Sequence, residues 1–220
     1  MLNLKATAAI TTLLCAGAAG AATFNGFANG GFETVDGGIP VGWALGDATH
    51  PVLSTDAHSG AYSLLLSRPG GFGGSGMEQH SVAHGGLAAL TAANVGDTPI
   101  LSFWAKGDAS PTGNAKYVLR YVGDAGVLYD SGFQHFESSL VSSSWTQISF
   151  QAGAIPAGTT AVYLLMNTAV GPLLDGRVNA VYIDDIQLTL TTAPVPEPES
   201  YALLIAGLGV VAAVARRRRA

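Results

Sequence analysis

Few side chains in the sequence have the types and spacing of a reactive site. His80 and His84 lie four residues apart with Glu78 nearby, and on a helix two histidines at this spacing could bind Zn²⁺. They follow a glycine-rich stretch typical of strand or loop, without the His-Glu-x-x-His order or a third ligand. We therefore expect no zinc site.

Further observations also argue against a reactive site. The stretch GFGGSG at residues 71–76 has dinucleotide-binding spacing, but no capped amphipathic helix follows it. Cys15 is the only cysteine, and no G-x-S-x-G nucleophile pattern occurs. The sequence therefore predicts no catalytic residues and a protein that is not an enzyme.

Short alternating runs separated by turn residues fill the chain from Phe24 to Leu190. In ILSFWAK (100–106) and KYVLRYV (116–122), apolar residues alternate with polar ones, which is typical of half-buried strands. No stretch between these limits has capped helical periodicity for more than about two turns. The pattern predicts seven to nine antiparallel strands and an all-β sandwich.

Seven segments also occur in a familiar order: NGGFE (29–33), IPVGW (39–43), HSGAYSLLLS (58–67), LSFWAKG (101–107), SSSWTQISF (142–150), IPAGTTAVYLLM (155–166) and VYIDDIQL (181–188). Together they resemble the galactose-binding-like jelly roll of the carbohydrate-binding module superfamily. The resemblance implies that residues 23–191 form an all-β, jelly-roll β-sandwich.

The resemblance implies a structural Ca²⁺ near the edge where the first and last strands meet. The matching ligands are Glu33 and Asp184, with backbone carbonyls near Asn29 and Ser59 completing a shell of six to eight oxygens. Alternation predicts that Asp184 faces the core and that Asp185 faces outward, and an unpaired inward carboxylate is costly. The alternative is a hydrogen-bonded pair of carboxylates without a metal.

A sugar-binding surface is also implied by the resemblance. Exposed aromatic rings stack on sugars, and polar side chains bind the hydroxyl groups. Trp104 shares a face with polar residues, and we expect Arg120 on the polar face of a neighbouring strand. The alternative is that Trp104, like Trp43 and Trp145, belongs to the core.

Both ends of the chain are unusually apolar. Lys5 precedes AAITTLLCAGAAGAA (8–22), which predicts a signal peptide over residues 1–22. A proline-glutamate linker over residues 192–200 then leads to a hydrophobic helix and an arginine cluster over 201–220. The uncharged part of that helix is about 22 Å long, a marginal span for a bilayer core of ~30 Å, and positive charge favours a cytoplasmic end.

The order of linker, hydrophobic helix and arginine cluster resembles the PEP-CTERM sorting signal that exosortase recognises in Gram-negative envelopes. The resemblance implies an inner-membrane intermediate, exosortase as the processing partner, and a product at the cell surface or in an exopolysaccharide matrix. The alternative is a simple membrane anchor. The implied recognition motif is Pro196, Glu197 and Pro198, and the membrane-stop cluster is Arg216, Arg217, Arg218 and Arg219.

Removal of both terminal signals would leave a strongly acidic domain. The formal net charge is −5, and the domain without Lys5, Glu197, Glu199 and the four C-terminal arginines has 5 basic and 13 acidic residues, a net charge of −8. Such a charge repels nucleic acid and anionic lipid, so we expect no nucleic-acid partner. Cations and neutral ligands fit better.

Three functional hypotheses follow. The first is an exported, non-catalytic surface or matrix protein associated with exopolysaccharide and biofilm. The second is a lectin-like module that binds exopolysaccharide through the face carrying Trp104. An enzyme acting on glycans is a remote third.

Overall fold

The computed structural model describes residues 23–46, 51–67, 73–81, 83, 90, 92–108, 113–170, 180–191, 207–208 and 216. Residues 22–193 form one compact unit, and residues 1–21 and 194–220 belong to a second. The predicted signal peptide, the linker with its Pro-Glu-Pro motif, and nearly all of the predicted C-terminal helix lie outside the described residues and stay predictions. Within the described part of the chain, no helix is long and apolar enough to cross a membrane.

Strands dominate the described part of the domain, so the predicted all-β class is confirmed. Several strands pair over only two residues, which brings their number above the seven to nine predicted. The 3₁₀-helices span Ala92–Asn94 and Glu137–Ser139. The strands are β1 (Thr23–Asn25), β2 (Val35–Asp36), β3 (Ile39–Pro40), β4 (Ala44–Leu45), β5 (Pro51–Ser54), β6 (Ser63–Ser67), β7 (Gly73–His80), β8 (Ile100–Asp108), β9 (Gly113–Gly123), β10 (Gly126–Asp130), β11 (Gln134–His135), β12 (Thr146–Gln151), β13 (Thr159–Val170) and β14 (Ala180–Thr191).

The strands form two antiparallel sheets. The first sheet has the order β12–β8–β14–β6–β5, with β1 paired to β14. The second sheet has the order β10–β9–β13–β7–β4, with β11 paired to β9, while β2 and β3 form a separate hairpin. The chain therefore alternates between the sheets from β6 to β9 and from β11 to β14, whereas β5 and β6, and likewise β9 to β11, are successive strands of one sheet. This arrangement fits the predicted jelly-roll sandwich.

The hydrophobic core lies between the two sheets. Leu101 and Phe103 of β8 and Tyr117 and Leu119 of β9 are all buried. The Phe103 and Tyr117 rings meet edge to face with centroids 5.5 Å apart, so they connect the sheets. Trp43 is buried in the same core, as predicted. The prediction is wrong for Trp145, which is only partly buried and lies outside that core. The residues that alternate with these along β8 and β9 consequently face outward.

A β-bulge in β14 determines the position of Asp184. Asp185 has a left-handed backbone (φ 50°), and the pairing register between β14 and β8 shifts at this point. Ile183 and Ile186, three residues apart, therefore both face the core. Asp184 pairs with Trp104 and lies on the outer face of the first sheet. The predicted inward orientation of Asp184 is wrong, because the bulge shifts the alternation by one residue.

Candidate functional site

Two neighbouring carboxylates hold the 55–62 loop, which comprises residues 55 to 62, against the first sheet. Asp184 Oδ2 accepts hydrogen bonds from the backbone N–H groups of His58 (2.8 Å) and Ser59 (3.1 Å). Asp185 accepts a hydrogen bond from the Ser59 hydroxyl (2.7 Å) and lies 2.7 Å from His58 Nδ1. Asp184 is fully buried beneath this loop although it lies on the outer face of the sheet.

Glu33 holds the other end of the same loop. Its carboxylate accepts hydrogen bonds from the backbone N–H groups of Ala61 and Tyr62, each at 2.9 Å. A Cβ at Gly31 would lie 3.5 Å from Asp185 Oδ1, 3.8 Å from Asp184 Oδ1 and 3.8 Å from Glu33 Cγ. Two carboxylates and the side-chain stem of Glu33 therefore approach one short segment of backbone, whereas the Glu33 carboxylate itself lies beside Gly60.

Asn29 organises the preceding turn instead of joining this group of carboxylates. Its side chain bridges to Thr34 and Val41 through three hydrogen bonds of 2.8–3.0 Å. Its carbonyl accepts hydrogen bonds from Trp43 Nε1 and from the Phe32 N–H. Because a carbonyl oxygen has two lone pairs, the Asn29 carbonyl has none left for a cation in this arrangement.

The carboxylates fit a hard cation in charge and in donor type. No basic side chain of the described residues pairs with Asp184 or Glu33, and His58 is the partner of Asp185. Across the described ranges, no three His, Cys, Asp or Glu side chains lie close enough to hold a metal by themselves. A calcium shell would therefore need backbone carbonyls or water besides Glu33 and Asp184. Ser59, the remaining predicted ligand, uses its N–H and hydroxyl as donors to carboxylates.

Burial and neighbouring charge alter the protonation of Asp184. Desolvation raises the pKa of its carboxyl, and the adjacent Asp185 carboxylate raises it further. Hydrogen bonds from Ser59, Asp185 and His58 N–H groups oppose this shift by stabilising the charged form. The net result is a pKa of Asp184 above its ordinary value.

Trp104 is covered by the 55–62 loop. The His58 ring stacks on it with centroids 3.9 Å apart and an angle of 13° between the planes. Trp145 meets the same His58 ring edge-on at 5.8 Å. Lys106 Nζ lies 5.1 Å from the Trp145 ring centroid and forms an ion pair with Asp56. These contacts attach the loop to the sheet, and one face of the Trp104 ring is already used.

Arg120 belongs to a different surface. The expectation that it lies on a strand neighbouring that of Trp104 is wrong, because β8 is in the first sheet and β9 in the second. Their outward side chains therefore point to opposite sides of the sandwich. Sequence alternation gave each residue's orientation correctly, but strand partners across the molecule are not encoded in local spacing.

A continuous row of polar and aromatic side chains crosses the outer face of the second sheet. Arg120 Nε donates to Asp130 Oδ2 at 2.7 Å, and its guanidinium carbon lies 5.6 Å from the Tyr163 ring centroid. The Tyr163 hydroxyl donates to Glu78. The row extends over β10, β9, β13 and β7, so four strands position it. We call this surface the Arg120 face.

The pKa shifts on the Arg120 face follow from these contacts. The hydrogen bond from Arg120 lowers the pKa of Asp130 below its ordinary value. Burial, together with the hydrogen bond to Glu78, raises the pKa of Tyr163 to about 12. At neutral pH the Arg120 guanidinium therefore donates to an ionised Asp130, and the Tyr163 hydroxyl keeps the proton that it donates to Glu78.

An open depression of about 250 Å³ lies beside this row. Its lining includes Gly46, Gly76, Glu78, Leu165 and Asn167. The two glycines contribute no side chains, which leaves the space open, and the Gly46 N–H donates to the Gly76 carbonyl at 2.8 Å. The depression thus combines an amide, a carboxylate and an apolar wall.

Sequence reasoning missed Tyr163, Glu78 and Asn167 as surface residues. The signal for two of them was present, since Tyr163 and Asn167 alternate with the buried Val162, Leu164 and Met166 along β13. Their proximity to Arg120 depends on register, in which Tyr163 pairs with Arg120. That pairing joins residues 43 positions apart and could not be read from local sequence.

Residues 194–219 match the model of the PEP-CTERM protein-sorting motif. No curated protein matches the chain. Among solved structures, the enzymatically active domain of tailspike protein 4 from bacteriophage CBA120 is similar over 76% of this chain, with a TM-score of 0.54 and 18% identity. This chain spans only 21% of that one, so the likeness concerns the fold.

Two carbohydrate-binding modules are also similar. The CBM22-1 xylan-binding domain of Paenibacillus barcinonensis Xyn10C has a TM-score of 0.45 and 15% identity, covering 78% of this chain and 94% of its own. TmCBM61, solved in complex with β-1,4-galactotriose, has a TM-score of 0.47 and 16% identity, covering 75% of this chain and 97% of its own. The chain therefore carries a PEP-CTERM sorting motif, which marks an exported protein processed by exosortase. In sequence, this motif follows a domain with the jelly-roll β-sandwich fold.

Proposed function

We propose that the protein is a non-catalytic component of the cell surface or extracellular matrix of a Gram-negative bacterium, where its sandwich binds exopolysaccharide. The sorting motif supports the location. The row of Asp130, Arg120, Tyr163 and Glu78 across four strands is the observation that carries the binding function.

The Arg120 face has the chemistry that a sugar needs. Sugar hydroxyls both donate and accept hydrogen bonds, whereas the C–H groups of the ring contact aromatic or apolar surface. Arg120 has donors beyond the Nε used by Asp130, and Glu78 and Asp130 have further lone pairs. Tyr163 and Leu165 supply apolar surface next to them.

The spacing of the carboxylates supports binding rather than hydrolysis. Glu78 on β7 and Asp130 on β10 are separated by three strand intervals, or about 14 Å at the usual strand spacing. Carboxylate pairs that cleave glycosides are roughly 5–9.5 Å apart. Each carboxylate also already has its own partner, Tyr163 or Arg120.

Calorimetric titration of the full-length protein with neutral and acidic polysaccharides tests this function. We expect Arg120→Ala and Tyr163→Ala each to weaken binding by about tenfold or more, since a lost hydrogen bond to a charged group has this effect. Gln187→Ala, an exposed change on the outer face of the first sheet, is the matched control and should bind normally.

Three outcomes would contradict the proposal. Absence of binding to every polysaccharide would leave only a surface component without lectin activity. Loss of binding in Trp104→Ala but not in Arg120→Ala would transfer the site to the first sheet. Release of reducing sugar from any polysaccharide would establish an enzyme instead.

We also propose that Glu33 and Asp184, joined by Asp185, hold a structural Ca²⁺. The adjacent carboxylates of Asp184 and Asp185, with Glu33 on the same loop and no lysine or arginine partner among the described residues, support this proposal. When bound, the ion would supply the positive charge that the buried Asp184 lacks. Its role would be to fix the 55–62 loop on the sheet.

A further inference from the structure

Building on the proposed glycan binding, we propose that Lys116 and Phe133 form a second contact site for the same glycan, and that the ligand is a neutral linear chain of at least three sugar units. Lys116 Nζ lies 4.2 Å from the Phe133 ring centroid. Phe133 is 49% exposed, although it is a large hydrophobic residue in an edge loop. An aromatic ring this accessible beside a polar sheet face is available to a sugar.

The second site repeats the construction of the first. At one position Arg120 lies over Tyr163, and at the other Lys116 lies over Phe133, so each is a cation above an aromatic ring. Lys116 and Arg120 are both outward-facing residues of β9, four positions apart. Their separation along the strand is about 13 Å at about 3.3 Å per residue.

That separation sets the length of the ligand. A six-membered sugar ring with its two linkage oxygens spans about 5 Å, as follows from bonds of about 1.5 Å. Two units would reach only one of the two cation–aromatic pairs and part of the gap, whereas three units reach both. A linear chain of three or more units is therefore the shortest ligand that contacts both sites.

The surface between the two sites is suited to a sugar chain. Val118 on β9 is 1% exposed, so the accessible surface at this level is provided by Leu165, its register partner on β13. Asn167 pairs in register with Lys116, which places its amide next to the second site. The middle unit would thus meet the apolar Leu165 side chain, and the unit at the second site would meet the Asn167 amide.

The charge of the face favours a neutral chain. Its two cations, Lys116 and Arg120, are matched in number by the carboxylates of Glu78 and Asp130. The surrounding domain is acidic and would repel a polyanion. No carboxylate in the described ranges pairs with Lys116, and its ammonium group remains available to donate to sugar hydroxyls.

A length series of neutral oligosaccharides tests the second site. Titration of the full-length protein with chains of one to five units should show affinity rising about three- to tenfold between two and three units, the typical effect of one added aromatic contact. Phe133→Ala should remove this step while leaving the affinity for the disaccharide unchanged. Val127→Ala, another exposed hydrophobic residue at the same sheet edge, is the matched control and should keep the step.

The outcomes separate this inference from the function on which it rests. If oligosaccharides bind and Tyr163→Ala abolishes binding, but Phe133→Ala keeps the step, the second site is wrong and the function stands. A different result would be that a uronate-containing chain binds more tightly than a neutral chain of equal length and loses this advantage in Lys116→Gln. That result would overturn the inference that the ligand is neutral. Failure of every oligosaccharide to bind would overturn both the function and the second site.

Discussion

Asp184 is a buried carboxylate that is hydrogen-bonded but not paired with a basic side chain of the described residues. Three backbone N–H groups, from His58, Ser59 and Asp185, donate to it. Such hydrogen bonds stabilise the charged form, but burial and the neighbouring Asp185 charge have the larger effect, and the pKa of Asp184 is raised. Protons and cations should therefore both relieve the same unfavourable charge.

We predict that the protein in chelator becomes more stable as the pH falls from neutral towards the ordinary pKa range of carboxyl groups. A carboxyl whose pKa is higher in the folded state contributes stability that is complete below its unfolded pKa and is lost as the pH rises through the folded pKa. The pKa of Asp184 is raised in the folded state, so Asp184 contributes in this way. The pKa of Asp130 is lowered in the folded state, so its contribution to stability is retained above its unfolded pKa and lost only at lower pH. The melting temperature, measured in steps as the pH is lowered from 7, should rise as Asp184 takes up a proton.

Asp184→Asn identifies the group responsible for this effect. The variant should show a flatter dependence of melting temperature on pH, whereas Asp124→Asn, in an exposed turn, should behave as the wild type. Addition of Ca²⁺ at pH 7 should raise the melting temperature of the wild type but not of Asp184→Asn. An unchanged pH slope in Asp184→Asn would assign the titration to another group, and the absence of any calcium effect would leave the carboxylates hydrogen-bonded without metal.

At the scale of elements, the 55–62 loop is the structure that joins the two predicted sites of the first sheet. It covers Asp184 with its backbone and Trp104 with the His58 ring. Gly60 allows this course because it has a left-handed backbone (φ 64°) and leaves room for the Glu33 carboxylate. A Cβ at Gly60 would collide with that carboxylate.

Gly60→Ala should therefore destabilise the domain more than the same substitution at a left-handed glycine whose Cβ position is unobstructed. Gly37→Ala is the matched control, since Gly37 also has positive φ (57°) but no atom within 4 Å of its Cβ position. Both variants lose roughly 1–2 kcal/mol from the left-handed backbone, and we expect Gly60→Ala to lose about 1 kcal/mol more from the collision. Denaturant unfolding measures the difference, and equal losses would show that Glu33 moves away without cost.

The predictable part of the fold is the part that depends on local alternation. Period-two patterns placed Trp104 and Arg120 on outward faces, and the structure agrees. Alternation failed at Asp184, because the bulge at Asp185 inserts one residue and nothing in YIDDI marks it. The prediction that Trp104 and Arg120 lie on neighbouring strands was also wrong, because β8 and β9 follow each other in sequence but belong to opposite sheets. The Arg120 face arises only from such long-range pairings.

At the scale of the whole molecule, the sorting motif and the surface proposed to bind glycan lie in separate parts of the chain. The sorting motif occupies residues 194–219, whereas the Arg120 face is built from residues between Glu78 and Tyr163. A change in one part should therefore leave the other intact. This independence makes the sorting signal testable without loss of the fold.

Glu197→Gln should block processing while leaving the domain folded. Because prolines at 194, 196 and 198 lack N–H groups, the sequence predicts that this segment is accessible to a protease. We expect the wild-type released protein to have an intact mass that excludes the arginine cluster, and Glu197→Gln to remain in the membrane fraction at full C-terminal length. Glu199→Gln changes a neighbouring carboxylate outside the Pro-Glu-Pro motif and should be processed normally. A released wild-type protein whose mass extends to Ala220 would contradict cleavage, and equal retention of both variants would show that acidity in the linker, rather than the motif, directs sorting.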